Sequence, residues 1–532
     1  MKYDYIIIGA GSAGCVLANR LSASARYNVL LLEAGPKDTN PWIHIPLGYG
    51  KLFAEPGVNW MYQSEPETQL HGRRIFTPRG KVLGGSSSIN GLVHVRGQRE
   101  DFDEWARLGN AGWGFNDVLA YFRKSENYQH GESAYHGADG PLAVSDLPDK
   151  HKLCDAFIVA AAEAGIPPND DFNGVSQEGA GYYHASARQG RRMSCAVAYL
   201  RPARRRENLQ VITGALATRI HFEGQRAVAV EYHAAGVSRT VRAHREILLC
   251  GGAINSPQLL QLSGVGPRAL LERHGVPVTH DAPGVGEGLQ DHFYARTVWK
   301  CSKPITINDA AGTLSGRIAM GLRYALLRRG PLTVSAGYAG AFARTRPELA
   351  RPDVQLYLIN FSTDKMGTRL HRFPGFTVSM SPLQPGSRGF VRIRCADARE
   401  APAIQYNFLS TEQDRRTVID ALKLVRGLMN TNAMRPYVLA EHAPGTRVVT
   451  DDDWLEYARE VGGTVYHPTS TCRMGQDALA VVDECLRLRG IAGMRVVDAS
   501  IMPNVVSGNT NAATIMIAEK AADLILADAR EA

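Results

Sequence analysis

The chain has 532 residues, 44% of them hydrophobic and 21% charged, with a formal net charge of +8. At roughly 100–200 residues per domain this is enough for two to four domains, and the composition excludes whole-chain disorder, a collagen-like repeat and a disulfide scaffold. No apolar run approaches the ~18 residues a membrane-spanning helix needs. Met1-Lys2-Tyr3-Asp4-Tyr5-Ile6-Ile7-Ile8 is too short an apolar run for an export signal. The eight cysteines form no C-x-x-C pair, which leaves zinc and dithiol readings without support; the expectation is reduced thiols, no metal and a cytoplasmic location. The basic balance comes mostly from arginines spread along the chain. With no nucleic-acid-binding signature, they read as a solvated surface and no nucleic-acid partner is expected.

In chain order, Tyr5 to Ile8 is a short apolar run that predicts a buried strand. Gly9-Ala10-Gly11-Ser12-Ala13-Gly14 follows, then a helical stretch from Val16 to Leu21, and a second strand, Val29-Leu30-Leu31-Leu32, that ends in Glu33. In this βαβ unit Gly9 permits a tight turn, Gly11 lets backbone approach a pyrophosphate, and Gly14 lets helix and strand pack closely. The helix N-terminus offers free N–H groups and Glu33 an acceptor for a ribose hydroxyl. A lone G-x-G-x-x-G often marks only a turn; with strand, helix, strand and acid in register, dinucleotide binding is the better reading. The motif does not choose between FAD and NAD.

Gly80 to Gly91 is glycine- and serine-rich, and the flanking apolar residues predict an ordered loop wrapped on a ligand. Glu246 to Cys250 reads as a strand returning to the nucleotide-binding sheet, followed by a glycine turn and a helix with Ser256 at its N-cap and Pro257 in its first turn. Leu314 to Arg329 places Leu314, Ile318, Leu322 and Leu326 at helical spacing among four arginines. Such a helix either turns its apolar side to the core or lies on an anionic membrane. Glu348 to Phe361 and Phe376 to Ala396 contain strand-like runs, and Glu412 to Met434 is helical by spacing. Near the C-terminus come Tyr466-His467-Pro468, a strand at Val496-Val497, and a helix from Ala512 to Ala527 following Asn511.

These clusters, in this order, resemble the glucose–methanol–choline (GMC) oxidoreductase family of FAD-dependent alcohol oxidisers, with both family signature stretches present at Gly80–His94 and Gly252–Gly266. Within the family the likeness is nearest to choline dehydrogenase-like bacterial alkanol dehydrogenases, which serve a respiratory chain. The segments from Glu33 to Pro41 and from Gly140 to Leu147 carry much of that likeness. The resemblance implies an α/β, Rossmann-like FAD-binding domain assembled from 1–150, 190–300 and 460–532. It also implies an α+β substrate domain with an antiparallel sheet from 151–189 and 301–459.

It further implies FAD contacts at Gly9, Gly11, Ser12, Ala13, Gly14, Glu33, Ala34, Trp60, Arg79, Val82, Gly84, Gly85, Asn90, Gly91, Val93, Ala217, Asp498, Ala499 and Asn511. Of the sixteen histidines, His467 matches the family's catalytic position and is expected to act as general base, with Asn511 holding the substrate oxygen. His292, in Gln290-Asp291-His292, is expected to be structural or near the flavin edge. Ile89 stands where some relatives tether FAD through histidine, and His94 is a weak substitute, so FAD is expected to be held noncovalently. The implied activity is oxidation of a primary alcohol with a quinone or other respiratory-chain acceptor and peripheral membrane contact. An oxygen-using alcohol oxidase, a choline dehydrogenase and a hydroxynitrile lyase are the alternatives on the same scaffold.

Overall fold

The computed structural model describes residues 2–364 and 369–531. Strand β1 (Tyr3–Ile8) runs into helix α1 (Ser12–Leu21) and on to strand β2 (Val29–Glu33), as the sequence predicts. β1 pairs in parallel with β2, Tyr5 facing Val29 and Ile8 facing Leu32. On its other side it pairs with the C-terminal half of β3 (Val237–Leu249), Ile8 facing Leu249. These apolar runs are buried on both faces, which is why they do not alternate. The exposed first half of β3 instead pairs antiparallel with Arg226–Ala234. The seven-stranded sheet runs Leu209–Thr213, β2, β1, β3, Arg226–Ala234, Ala215–Glu223, with Met494–Val496 pairing β3 in parallel.

Gly14 shows why the first helix can lie so close. A Cβ there would stand 1.9 Å from the Gly9 carbonyl oxygen. Gly9 itself has φ +99°, a conformation that glycine adopts without strain.

Helix α2 (Gly252–Leu262) follows β3 and starts earlier than the cap signals suggest. Ser256 and Pro257 lie inside it rather than at its start. Pro257 has no N–H to offer the Ala253 carbonyl, and Thr471 supplies the missing donor through Oγ1 at 2.7 Å. Ser256 uses its hydroxyl on Asp498 Oδ2 at 2.6 Å.

A second, antiparallel seven-stranded sheet runs Val438–Ala443, β4 (Phe293–Cys301), β5 (Gly375–Pro382), Val354–Ile359, Ala339–Ala343, Gly179–Tyr182. Gly463–Thr464 pairs with the start of β4. β4 therefore lies across the division expected at residue 300, and belongs wholly to this second sheet. Helix Glu412–Met429 covers the sheet with a buried stripe that includes Val418, Leu422, Val425 and Met429. Helix α3 (Leu314–Leu327) forms as expected, and helix α4 (Thr510–Glu531) packs along α1. Among the described residues, no helix is long and apolar enough to cross a membrane.

Candidate active site

The two sheets enclose a deep cleft. One end is formed where β1, β2 and β3 finish, at Ile8-Gly9, Leu32-Glu33 and Leu249–Gly251; the other is lined by Tyr294 and Arg296 of β4, Thr377 and Ser379 of β5, and Tyr357 and Ile359. Parallel strands leave their C-terminal ends as a natural ligand crevice, and helix N-termini make it electropositive. Two helices converge there: Ser12 at the start of α1 donates its hydroxyl to Asn511 Oδ1 at the start of α4, at 2.7 Å.

Of the residues expected at the cofactor, Gly9, Gly11, Ser12, Ala13, Glu33, Ala34, Trp60, Arg79, Gly85, Asn90, Gly91, Val93, Ala217, Asp498, Ala499 and Asn511 all line the cleft, with His467. Gly14, Val82 and Gly84 do not. Gly14 serves helix packing. Val82 is buried among Ile43, Leu52, Val58 and Ile89. Gly84 has φ +89°, and a side chain there would meet Ser88 Oγ at 2.2 Å, so it shapes the loop from behind.

The lining fits a dinucleotide. A Cβ on Gly11 would meet nothing within 4 Å, so its backbone lies open to the cleft. Gly85 closes the loop against that turn, its missing Cβ only 2.6 Å from Gly11 Cα. The buried Tyr49 hydroxyl, on the lining, has no partner among the described residues and is free for a polar ligand. Glu33 receives N–H groups from Ala10 (2.8 Å) and Gly35 (2.9 Å); burial outweighs these bonds and raises its carboxyl to about 7. Each oxygen retains a lone pair for a further donor. Asp498 is committed to the chain: it accepts from the Gly252 and Ser500 N–H groups and from Ser256.

His467 is buried at the cleft wall, and its surroundings fix its backbone and its ring separately. Tyr466 holds φ +73°, a conformation that costs a bulky residue about 1–3 kcal/mol. Three contacts hold it there: the Tyr466 N–H donates to Thr464 Oγ1 (2.7 Å), Arg79 donates to the Tyr466 carbonyl (2.8 Å), and the next N–H, that of His467, donates to Asp291 Oδ1 (2.8 Å). Asp291 also accepts from the Thr464 hydroxyl, and burial pushes its carboxyl up to about 7.

The ring is fixed by a series of hydrogen bonds. His292 Nε2 lies 3.1 Å from the Leu383 carbonyl oxygen, which can only accept, so Nε2 carries the proton. Burial lowers the His292 pKa to about 4, so the ring is neutral and its Nδ1 bare. His467 Nδ1, 3.0 Å away, must therefore be the donor, which leaves the lone pair of His467 on Nε2. That nitrogen accepts from Nδ2 of Asn509 at 3.1 Å, and Asn509 Oδ1 in turn accepts from Gln355 at 3.3 Å. Burial first, then the fields of His292 and Arg79, holds the His467 pKa well below that of free histidine.

The neighbour of His467 is thus Asn509, not Asn511. Asn511 lines the same cleft but its amide oxygen is taken by Ser12. Both asparagines lie in Gly508-Asn509-Thr510-Asn511, and the expectation at Asn511 rests on its match to the family's position; the helix that follows starts at Thr510 rather than Ala512. Asp291 was legible only as a neighbour of His292. His94 is absent from the lining and packs with Nε2 3.2 Å from Glu126 Oε1 in a buried network with Arg96.

A dinucleotide crevice facing an antiparallel sheet, with a neutral buried histidine between them, defines a cofactor-dependent oxidoreductase. The chain belongs to the GMC oxidoreductase family: the family's N- and C-terminal domains match residues 3–294 and 385–518. Its cofactor is accordingly FAD. The chain is 44% identical to an alcohol dehydrogenase (acceptor) of Pseudomonas putida, covering 98% of this chain and 96% of the relative. It is 42% identical to the mitochondrial choline dehydrogenase of Homo sapiens, covering 98% and 90%. Among solved structures it resembles pyridoxine 4-oxidase from Mesorbium loti, with a TM-score of 0.89, 31% identity and coverage of 98% and 99%.

Proposed function

We propose that the enzyme oxidises a primary aliphatic or aromatic alcohol to the aldehyde and passes the electrons to a quinone or another acceptor that is not oxygen. The observation that carries this reading is the unprotonated, buried Nε2 of His467 on the wall of the dinucleotide cleft, partnered by the Asn509 amide. Bound FAD supplies the acceptor for a hydride. His467 takes the hydroxyl proton at Nε2 as the carbinol C–H hydrogen leaves with its electron pair and the C=O bond forms. Its depressed pKa keeps it unprotonated at neutral pH, ready to accept. The alcohol hydroxyl replaces the Asn509 N–H as donor to Nε2, and the Asn509 amide, beside the same nitrogen, then holds the alcohol oxygen.

The far end of the cleft favours an uncharged substrate. It offers the rings of Tyr294, Tyr357 and Phe361 and the cation of Arg296, while the carboxylates of the lining, Glu33 and Asp498, stand at the nucleotide strands. A quaternary ammonium would be repelled by Arg296, and among the described residues no carboxylate lines that end of the cleft. The likeness to an alcohol dehydrogenase (acceptor) supports the same choice, although the choline dehydrogenases are similarly close. Noncovalent FAD is part of the proposal, because Ile89 offers no nucleophile and His94 faces Glu126.

The test is a panel of primary alkanols, benzyl alcohol and choline, assayed with an artificial dye or quinone analogue and separately with oxygen. Dye-linked turnover of the uncharged alcohols, slow with oxygen and slow with choline, is expected. Preference for choline, or oxygen turnover as fast as that with the dye, contradicts the proposal. Acid precipitation should release yellow flavin into the supernatant; flavin remaining with the protein overturns the noncovalent assignment.

A further inference from the structure

Helix α3 carries its apolar side outward. Leu314, Ile318, Leu322 and Leu326 follow one another at four-residue spacing and are 68%, 53%, 55% and 77% exposed, with Leu327 at 64%. The one fully buried side chain of the helix is Tyr324, on the opposite side, and Met320 packs partly against the substrate-domain core. An ordinary surface helix turns its aliphatic stripe inward, and scattered exposed leucines need no explanation. A continuous row on one helix marks a surface that something covers.

The charge around the row names the occupant. From Leu314 to Arg329 there is no acidic residue and there are four arginines. Arg323 and Arg329 share Asp149, at 3.2 and 3.1 Å, so this region stays positive. Arg317 is exposed beside the row, and Arg328 lies over the Tyr324 ring. Aliphatic side chains to insert and arginines to meet anionic head groups are the two parts of an interfacial helix. Both flanks of the helix lead to the cleft. On the N-terminal side Asn308 donates to the carbonyl of Ser362, between the lining residues Phe361 and Thr363. On the C-terminal side Ala336 lines the cleft and donates its N–H to Gly91.

We propose that the outward face of α3 docks the enzyme on the surface of an anionic phospholipid bilayer. This placement deepens the acceptor reading of the preceding section, on which its purpose rests: the substrate end of the cleft is held beside a phase in which quinones and apolar alcohols concentrate. The bilayer contact itself needs no turnover, so its test stands apart from the activity.

The holoenzyme, without alcohol, is sedimented with phosphatidylcholine vesicles with and without phosphatidylglycerol. Binding to the anionic vesicles is expected, weakened but not abolished by salt, because charges are screened and apolar insertion is not. Ile318→Asp and Leu322→Asp should each weaken partitioning by about tenfold or more, the scale of one buried aliphatic side chain. Leu326→Ser, a milder change, should act in the same direction. Dye-linked turnover and melting temperature should stay at parent values in all three. A parent that stays in the supernatant with both vesicles overturns the proposal, as do aspartate variants that bind like the parent. So does a parent dimer in sedimentation velocity that Ile318→Asp splits into monomers, since a second copy would then be the occupant.

Discussion

At the scale of single residues, the proposed reactivity rests on groups that stand behind the reacting nitrogen of His467. The proton on His292 Nε2, held by the Leu383 carbonyl, determines that His467 carries its own proton on Nδ1 and leaves Nε2 unprotonated beside Asn509. On the proposed mechanism His292 is a positioning residue that acts through its imidazole Nδ1. His292→Ala should lower the rate of anaerobic flavin reduction by about tenfold to a hundredfold, the worth of one or two buried hydrogen bonds. His292→Asn, which retains an acceptor near the Nδ1 position, should recover most of that loss. Equal defects in the two variants would mean that His292 only fills space. Asn509 and Asn511 separate in the same assay. Asn509→Ala should slow flavin reduction, because it removes the amide beside Nε2, and leave flavin content intact. Asn511→Ala removes the partner of Ser12 and should lower flavin content first. The opposite pattern would return the substrate role to Asn511.

At the scale of elements, what was legible depended on range. The run from Tyr3 to Glu33 reads correctly because its strand, turn, helix and strand are specified within thirty-odd neighbouring positions by burial and glycine sterics. The start of α2 does not, because the Thr471 hydroxyl that lets Pro257 sit inside the helix is far away in the chain. His292 and His467 are 175 residues apart, so local pattern shows each alone and never the pair. For α3 the periodicity was plain, but a helix with its leucines inward and one with its leucines outward share a pattern; only exposure separates them. Gly14 tests the first element directly. Gly14→Ala puts a methyl 1.9 Å from a backbone oxygen that cannot yield without moving the nucleotide turn. It should lower stability by about 1–3 kcal/mol and lower the flavin-to-protein ratio, read by thermal melting and absorbance. A variant with parent melting temperature and full flavin would show that the turn tolerates the shift.

At the scale of the whole molecule, the two sheets divide the work. The sheet built on β1, β2 and β3 ends in glycine turns and helix N-termini that fit a dinucleotide, and the sheet built on β4 and β5 supplies the far wall. His467 sits between them, reached by a chain segment that pairs with β4 at Gly463–Thr464 and returns to the first sheet at Met494–Val496. The proposed activity requires both halves to meet at Nε2 of that one ring. The most direct test is stopped-flow mixing of the anaerobic holoenzyme with a primary alcohol, following the loss of oxidised-flavin absorbance across pH for the parent and for His467→Ala. The parent should reduce at a rate that is level through neutrality and falls only well below the pKa of free histidine, because the folded ring stays neutral to lower pH. His467→Ala, with its flavin retained, should be slower by about two to four orders of magnitude, the range of general-base catalysis. A flavin-replete variant that reduces at the parent rate, or a parent whose flavin no primary alcohol reduces, would contradict the account.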